Sequence, residues 1–240
     1  MKRADIFLVE QGYYESRARA QAAIKAGLVR VGGVRVKKPS EKISEGAKIE
    51  AKAEHPWVSR GGLKLVHALK EFGVSVDGKL CLDVGASTGG FSQVLIKHGA
   101  RKVYAVDVGR EQLHSKLRDV ASIISMEQRD ARDLKPSDFD APPQLIVCDA
   151  SFISAMKVLE VPLALAAPSA QLITLVKPQF EVGKAGIGRG GIVLSESLAL
   201  QSLSDVSAWV SAQGWEVIAT CLSPIKGGSG NTEYLLHARK

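Results

Sequence analysis

Aromatic residues make up only 5% of the 240-residue chain, and there are just three cysteines. Few rings are therefore available for a surface that works by stacking on unpaired bases. Cys81, Cys148 and Cys221 stand in apolar, strand-like contexts and in no metal-ligand spacing. They read as reduced, buried thiols of a cytoplasmic protein, with no disulfide framework and no metal. No run approaches the ~20 apolar residues needed to cross a bilayer. Met-Lys-Arg-Ala-Asp at the start is not followed by the apolar stretch of a signal peptide, so no membrane partner is expected. The chain also lacks both G-x-G-x-x-G and the lysine of a Walker loop, which disfavours pyrophosphate binding.

Charge is present but unevenly spread. Residues 1–60 carry 13 Lys+Arg against 7 Asp+Glu, whereas the whole chain carries 32 against 25. Nearly all the excess sits in the first quarter, as in a polyanion-binding module joined to a neutral body. That quarter reads as two short helices and a hairpin. Ile6, Phe7, Val9 and Tyr13 mark the first helix. The second runs from an N-capping Ser16 through Ala20, Ala23 and Ile24 to Gly27. Leu28–Val31 and Val34–Val36 alternate around Gly32-Gly33, a hairpin signal, and Ala47–Ala51 adds a strand. The expected organisation is a small α+β domain over 1–54, a linker over 55–62 and a larger domain over 63–240.

The larger domain alternates helix and strand. Helices are expected at Leu63–Phe72, Phe91–His98, Ala155–Ala167 and Ser195–Ala212. Strands are expected at Lys79–Val84, Val103–Asp107, Ile123-Ile124, Leu145–Asp149, Leu172–Val176, Trp215–Leu222 and Glu233–His237. This rhythm predicts an α/β fold, a doubly wound and mainly parallel sheet with helices on both faces. Phe180–Val193, rich in glycine, reads as a loop without structure of its own, a flexible lid.

Asp83, Gly85, Ala86, Ser87, Thr88, Gly89, Gly90 and Phe91 lie where the first of these strands turns into a helix. Small residues let a ligand approach the backbone there, and the helix N-terminus adds a positive dipole end. A carboxylate at Asp83 would repel pyrophosphate but suits a ligand with an amino group, and S-adenosylmethionine fits. Asp107 after the second strand can accept from ribose hydroxyls. Asp130 after the third can accept from an adenine amino group. Asp149 ends the fourth strand, Lys177-Pro178 ends the fifth, Lys64 lies on the preceding helix and Glu233 opens the last strand.

Ser59-Arg60-Gly61-Gly62-Leu63-Lys64, Asp83 to Gln93, Cys148-Asp149-Ala150-Ser151-Phe152, Lys177-Pro178-Gln179-Phe180-Glu181 and Gly230-Asn231-Thr232-Glu233 together resemble the TlyA family of ribosomal RNA 2′-O-methyltransferases. The larger domain is similar to FtsJ-type enzymes with a seven-stranded Rossmann-like sheet. The first segment, with Ser16-Arg17, Ala20, Ile24, Gly27, Val29, Val31, Gly33 and Lys38-Pro39, resembles the S-four-type RNA-binding domain. The resemblance implies a Lys-Asp-Lys-Glu tetrad at Lys64, Asp149, Lys177 and Glu233. It also implies a cytidine 2′-hydroxyl of ribosomal RNA as target. A ribose hydroxyl must lose its proton as it attacks a methyl group. Lys177 is the expected base, its affinity for the proton lowered by burial and by the neighbouring cation Lys64, and raised by Asp149 and Glu233.

Arg3, Arg17, Arg19, Lys25, Arg30, Arg35, Lys37 and Lys38, with Arg60 in the linker, are the expected phosphate contacts to ribosomal RNA or ribosomal subunits, made by a monomer. Alternatives are a haemolysin-type toxin, a non-catalytic ribosome assembly protein and a base-modifying methyltransferase. The first lacks a visible membrane-inserting element. An intact tetrad counts against the second. The third lacks an Asn-Pro-Pro-Tyr-like motif after the fourth strand.

Overall fold

The computed structural model describes residues 1–53 and 55–240; the domain end expected at Glu54 lies outside the described residues. The chain forms two compact units, Met1–Pro56 and Trp57–Lys240.

In the first unit, helices α1 (Ala4–Glu10) and α2 (Arg17–Lys25) pack beside five short strands: β1 (Lys2–Arg3), β2 (Val29–Val31), β3 (Val34–Arg35), β4 (Lys42–Ile43) and β5 (Ile49–Ala51). The Ser16 hydroxyl accepts from the Arg19 amide at 3.3 Å and starts α2. Gly32 and Gly33 have φ of 58° and 82°, and they close the β2–β3 hairpin between Val31 and Val34. Positive φ at both loop positions matches the twist of the strands they join. Strand β5 adds to β2, and β1 pairs antiparallel with β4. That second pairing was not expected, because two-residue strands carry no readable period. Phe7, Leu8, Ile24, Val29 and Ile43 form the buried centre.

Asp5 is fully buried in this unit. Its carboxylate accepts from Arg3 Nε at 3.0 Å, Arg17 Nη2 at 3.1 Å and Gln21 Nε2 at 2.7 Å. The Arg3 guanidinium first, then Gln21 and Arg17, hold this carboxyl well below the ordinary range against the cost of burial. Arg3 and Arg17 are thus tied to an internal anion.

The second unit is built on a seven-stranded sheet in the order β11-β12-β10-β9-β6-β7-β8. Its strands are β6 (Leu80–Val84), β7 (Lys102–Asp107), β8 (Ile123–Glu127), β9 (Leu145–Cys148), β10 (Gln171–Val176), β11 (Glu216–Leu222) and β12 (Tyr234–Arg239). Strands β6 to β10 run parallel, while β12 is antiparallel to β10 and β11. β6 and β9 are buried at every residue, as strands covered on both faces must be. Leu65, Leu69, Val94 and Leu95 of α3 (Gly61–Glu71) and α4 (Gly90–Lys97) pack with Cys81, Val147 and Ile173 on one face. Val158, Leu159, Val206 and Val210 of α6 (Ala155–Ala164) and α8 (Glu196–Ala212) pack with Leu82, Ile146 and Leu172 on the other. The doubly wound α/β fold expected from the rhythm is present, with two further short helices among the described residues, α5 (Ser115–Arg118) and α7 (Pro178–Glu181).

Segment 180–193 differs from expectation. It contains the end of α7 (Pro178–Glu181), two 3₁₀ turns at Lys184–Gly186 and Arg189–Gly191, and a bridge between Ile187 and Val193. The cause lies elsewhere in the chain. Buried Asn231 accepts from the Val193 amide at 3.0 Å and donates to the Gly191 carbonyl at 2.8 Å.

The Asp5 network gives a stability prediction. A carboxyl held low in the folded state stabilises above the unfolded value of ~3.9, and that contribution is lost as pH falls through the folded value. Asp5→Asn should lower stability at pH 7 by about 1–2 kcal/mol, modest because both arginines are partly solvated. Urea denaturation of both proteins should show this gap closing below about pH 4. A gap of constant size down to pH 3 would assign the loss to packing instead.

Candidate active site

The chain runs outward from β6 to β7 and β8, then returns to place β9 and β10 on the other side of β6. The order therefore reverses between β6 and β9. In an open α/β sheet, a crevice forms at the carboxyl ends of strands at such a point. The loop after β6 fills its floor. Gly85 has φ of 76°, and a Cβ there would lie 2.8 Å from the Ala150 Cα after β9. Only glycine lets these two strand ends come this close. Gly85 and Ala86 amides both donate to the Val106 carbonyl, at 2.9 and 3.0 Å. Gly89, at φ of 88°, caps α4, and Phe91 is buried behind it.

Asp83 lies beneath this loop and is fully buried. Its Oδ2 accepts from Ser92 Oγ at 2.6 Å, while Oδ1 has no partner among the described residues. Burial pushes its carboxyl up to about 7; the charges of Asp149 and Asp107 add to the rise and the Ser92 hydrogen bond opposes it. Asp107 accepts from the Ser87 amide at 2.8 Å and the Gly109 amide at 2.7 Å. Asp130 caps the 3₁₀ turn Ala131–Asp133 and takes Arg132 Nη2 at 2.6 Å, which holds its carboxyl below the ordinary range.

Two cavities open over the loop. One of about 480 Å³ is lined by Lys64, Ala86, Thr88, Gly90, Lys177 and Glu233 among others. The second, of about 550 Å³, is lined by Asp107, Gln112, Asp130 and Arg132 among others. Gly85, Ser87, Asp149, Ser151 and Phe152 line both. Asp83 and Gly89 line neither.

The four polar residues singled out beyond the cofactor loop come together. Lys64 Nζ lies 2.7 Å from Glu233 Oε2 and 3.4 Å from Asp149 Oδ1. Lys177 Nζ lies 2.6 Å from the same Asp149 Oδ1, donates to the Asp149 carbonyl at 3.0 Å and donates to Ser151 Oγ at 2.8 Å. The lysine side chains are only 10% and 7% exposed. Sheet register brings them close: Val176 pairs with Tyr234, so Lys177 and Glu233 follow and precede adjacent residues at one edge.

Of the basic residues, Lys25, Arg30, Arg35, Lys37 and Lys38 are exposed in the first unit, and Arg19 is partly buried. Arg60 is exposed ahead of α3 in the second. Nothing in the local sequence around Ser151, Phe152, Gln179 or Asn231 signals a role for them. Phe152 is the least predictable. Its φ is 66°, the residue is 91% exposed, and its ring centroid is 5.4 Å from that of Phe180. A lone aromatic in a loop gives no periodic signal.

The seven-stranded sheet, with its last strand inserted antiparallel beside β10, and the acidic crevice at its switch point define a Rossmann-like methyltransferase. Residues 57–240 match the FtsJ-like methyltransferase family, and residues 2–49 match the S4 domain. A Mycobacterium tuberculosis protein named 16S/23S rRNA (cytidine-2′-O)-methyltransferase TlyA is 41% identical over 239 residues, 99% of this chain and 89% of its own length. Hemolysin A of Brachyspira hyodysenteriae is 42% identical over 236 residues, 98% of each chain. The solved structure of a candidate hemolysin from Streptococcus thermophilus aligns with a TM-score of 0.79 at 42% identity, covering all of this chain and 88% of that one. The chain belongs to the TlyA family of FtsJ-like methyltransferases with an N-terminal S4 domain. Its methyl donor is S-adenosylmethionine.

Gly85→Ala should lower stability by roughly 1–3 kcal/mol, since the new Cβ meets backbone and φ is unfavourable. Gly183→Ala, at φ of 69° with open space around it, isolates the backbone cost alone. Thermal unfolding of both variants should show the larger loss at Gly85; equal losses would refute the close-approach argument.

Proposed function

We propose that this protein transfers a methyl group from S-adenosylmethionine to the 2′-hydroxyl of a cytidine in ribosomal RNA. The reading rests above all on the closed cluster of Lys64, Asp149, Lys177 and Glu233, which line one cavity together while Asp149 also lines the other. Cytidine and ribosomal RNA are named for the Mycobacterium tuberculosis relative.

The crevice fits the donor. Asp107 and Asp130 line one cavity, where each carboxylate retains lone pairs for ribose hydroxyls and an adenine amino group. Asp83, whose Oδ1 has no partner, favours a cation from beneath the loop. Bound S-adenosylmethionine supplies an electrophilic methyl group on a cationic sulfur. Asp149 and Glu233 then hold the two lysine side chains in place. Lys64 keeps positive charge beside Asp149, and Lys177, in its neutral form, takes the proton of the attacking hydroxyl. Such proton transfer contributes typically 10²–10⁴-fold. Phe152, exposed at the mouth of both cavities, offers a ring on which the base of an extruded nucleotide can stack.

We assign RNA binding to residues 1–54, joined through 55–62 to the catalytic domain over 63–240. Arg19, Lys25, Arg30, Arg35, Lys37, Lys38 and Arg60 are the phosphate contacts on this reading. Arg3 and Arg17 contribute less, being bound to Asp5. Among the described residues no helix is long and apolar enough to cross a membrane.

Incubation with labelled S-adenosylmethionine and ribosomal subunits or naked ribosomal RNA, followed by mapping of the label, tests the proposal. Label on a ribose is expected; label on a base, or none, overturns it. Lys177→Ala should cut transfer at least ~10²-fold while donor binding persists. A second expectation concerns pH. Protonation of Asp83 removes a negative charge that favours the cationic donor, so donor affinity should fall as pH drops from 8 to 6, through its value of about 7. Calorimetry in two buffers of different ionisation enthalpy should detect the proton released on binding at pH 6.5, and Asp83→Asn should abolish that release.

A further inference from the structure

Lys177 Nζ has three nearby oxygens: the Asp149 carbonyl, Asp149 Oδ1 and Ser151 Oγ. The first two can only accept hydrogen bonds. The Ser151 hydroxyl alone can also donate. Ser151 is exposed, lines both cavities, and has no other hydrogen-bond partner among the described residues. It follows β9 directly after Asp149-Ala150, so its backbone is anchored at the same strand end as the carboxylate that holds the lysine.

These facts fix how the cluster must rearrange when Lys177 is neutral. Two amine hydrogens stay with the two Asp149 oxygens, which offer nothing in return. The lone pair is left along the remaining direction, toward Ser151. The hydroxyl then turns to donate to Nζ, and its oxygen faces the cavity as an acceptor. A ribose hydroxyl in that cavity has the exposed Ser151 hydroxyl as an acceptor, beside a lysine side chain that is only 7% exposed.

We propose that Ser151 is a catalytic residue that relays the proton from the ribose 2′-hydroxyl to Lys177. The ribose O–H bond breaks as a new Oγ–H bond forms. The original Oγ–H proton passes to Nζ, which becomes an ammonium. The ribose oxygen uses the freed electron pair to bond the methyl carbon as the carbon–sulfur bond breaks, and that bond's electron pair stays with sulfur, which leaves as a neutral thioether. Ser151 ends as the neutral hydroxyl it began as, and the positive charge lost by the donor reappears on Lys177. This relay rests on the ribose methyltransferase reading above, with Lys177 as the terminal base.

Single-turnover methyl transfer by the full-length protein, with saturating donor and RNA, tests the relay. Ser151→Ala should reduce the rate about 10²-fold. Donor affinity should stay within twofold, and Ser151→Thr, which keeps the hydroxyl, should recover most of the rate. A merely structural role for Ser151 would not alter the proton count. In mixtures of H₂O and D₂O, the parent rate should show two protons in flight, as a curved dependence, and the alanine variant one, as a linear dependence. An unchanged rate in Ser151→Ala, or a linear dependence in the parent, overturns the relay. If the parent labels a base instead of ribose, or labels nothing, the ribose reading itself has failed. If the parent labels ribose and Ser151→Ala keeps pace, only the relay has failed.

Discussion

Removing an ammonium or a carboxylate from water costs several kcal/mol per ion, even after the protein relaxes around it. Lys64, Asp149, Lys177 and Glu233 place two of each at one largely buried point. Each cation lies within 2.7 Å of a carboxylate oxygen, and Asp149 Oδ1 is shared by both lysines. Loss of any one member leaves an uncompensated charge behind. The four therefore have to arrive together, from helix α3, the ends of β9 and β10 and the start of β12. Parallel β9 and β10 deliver Asp149 and Lys177 to one edge. An antiparallel β12 is what brings Glu233, at its beginning, to that same edge. The inserted last strand is thus a requirement of the charge cluster as much as of the sheet.

The crevice around the cluster is organised by donors and acceptors already in use. Asp107 links the β6 loop to the end of β7 by accepting the Ser87 and Gly109 amides. Asp130 is fixed by Arg132. A carboxylate held in this way is aimed before any ligand arrives, and less ordering is left for the binding step. Asn231 extends the same logic to segment 180–193. One buried amide side chain joins Gly191 and Val193, so a glycine-rich stretch adopts turns that its own composition does not specify.

What the sequence makes legible here follows from how far each signal reaches along the chain. Largely apolar runs of four or five residues, such as Leu145–Cys148 and Leu172–Val176, mark strands. Charged residues directly after them, Asp149 and Lys177, mark the ligand edge, and Ser16 and Ser195 mark helix starts. These are local patterns, and the fold and the tetrad can be read from them together with family resemblance. Other features depend on partners far along the chain. The β1–β4 pairing joins residues about forty positions apart with two residues on each side. The capture of Arg3 and Arg17 by Asp5 cannot be told from solvent exposure by any spacing rule. Phe152 is set by a left-handed backbone turn that a phenylalanine rarely adopts, and composition cannot anticipate it.

That last group bears on how a single nucleotide would be chosen. On the proposed reading, the first unit binds through exposed Lys25, Arg30, Arg35, Lys37 and Lys38. Contacts of this kind go to phosphates, and they position RNA without reading its sequence. Selection must then occur where a nucleotide enters the catalytic unit, and lifting it out of its stack costs a few kcal/mol. An exposed ring at Phe152 can return part of that cost by stacking on any base, so it favours extrusion without discriminating among bases. Discrimination is left to the polar groups beside the reacting hydroxyl. Among them Gln179, whose buried Oε1 has no partner among the described residues while its Nε2 reaches Glu233 at 3.5 Å, lines the same cavity as the tetrad. Affinity, extrusion and choice of base would thus reside in three different sets of residues, and only the first set shows in the charge of the sequence.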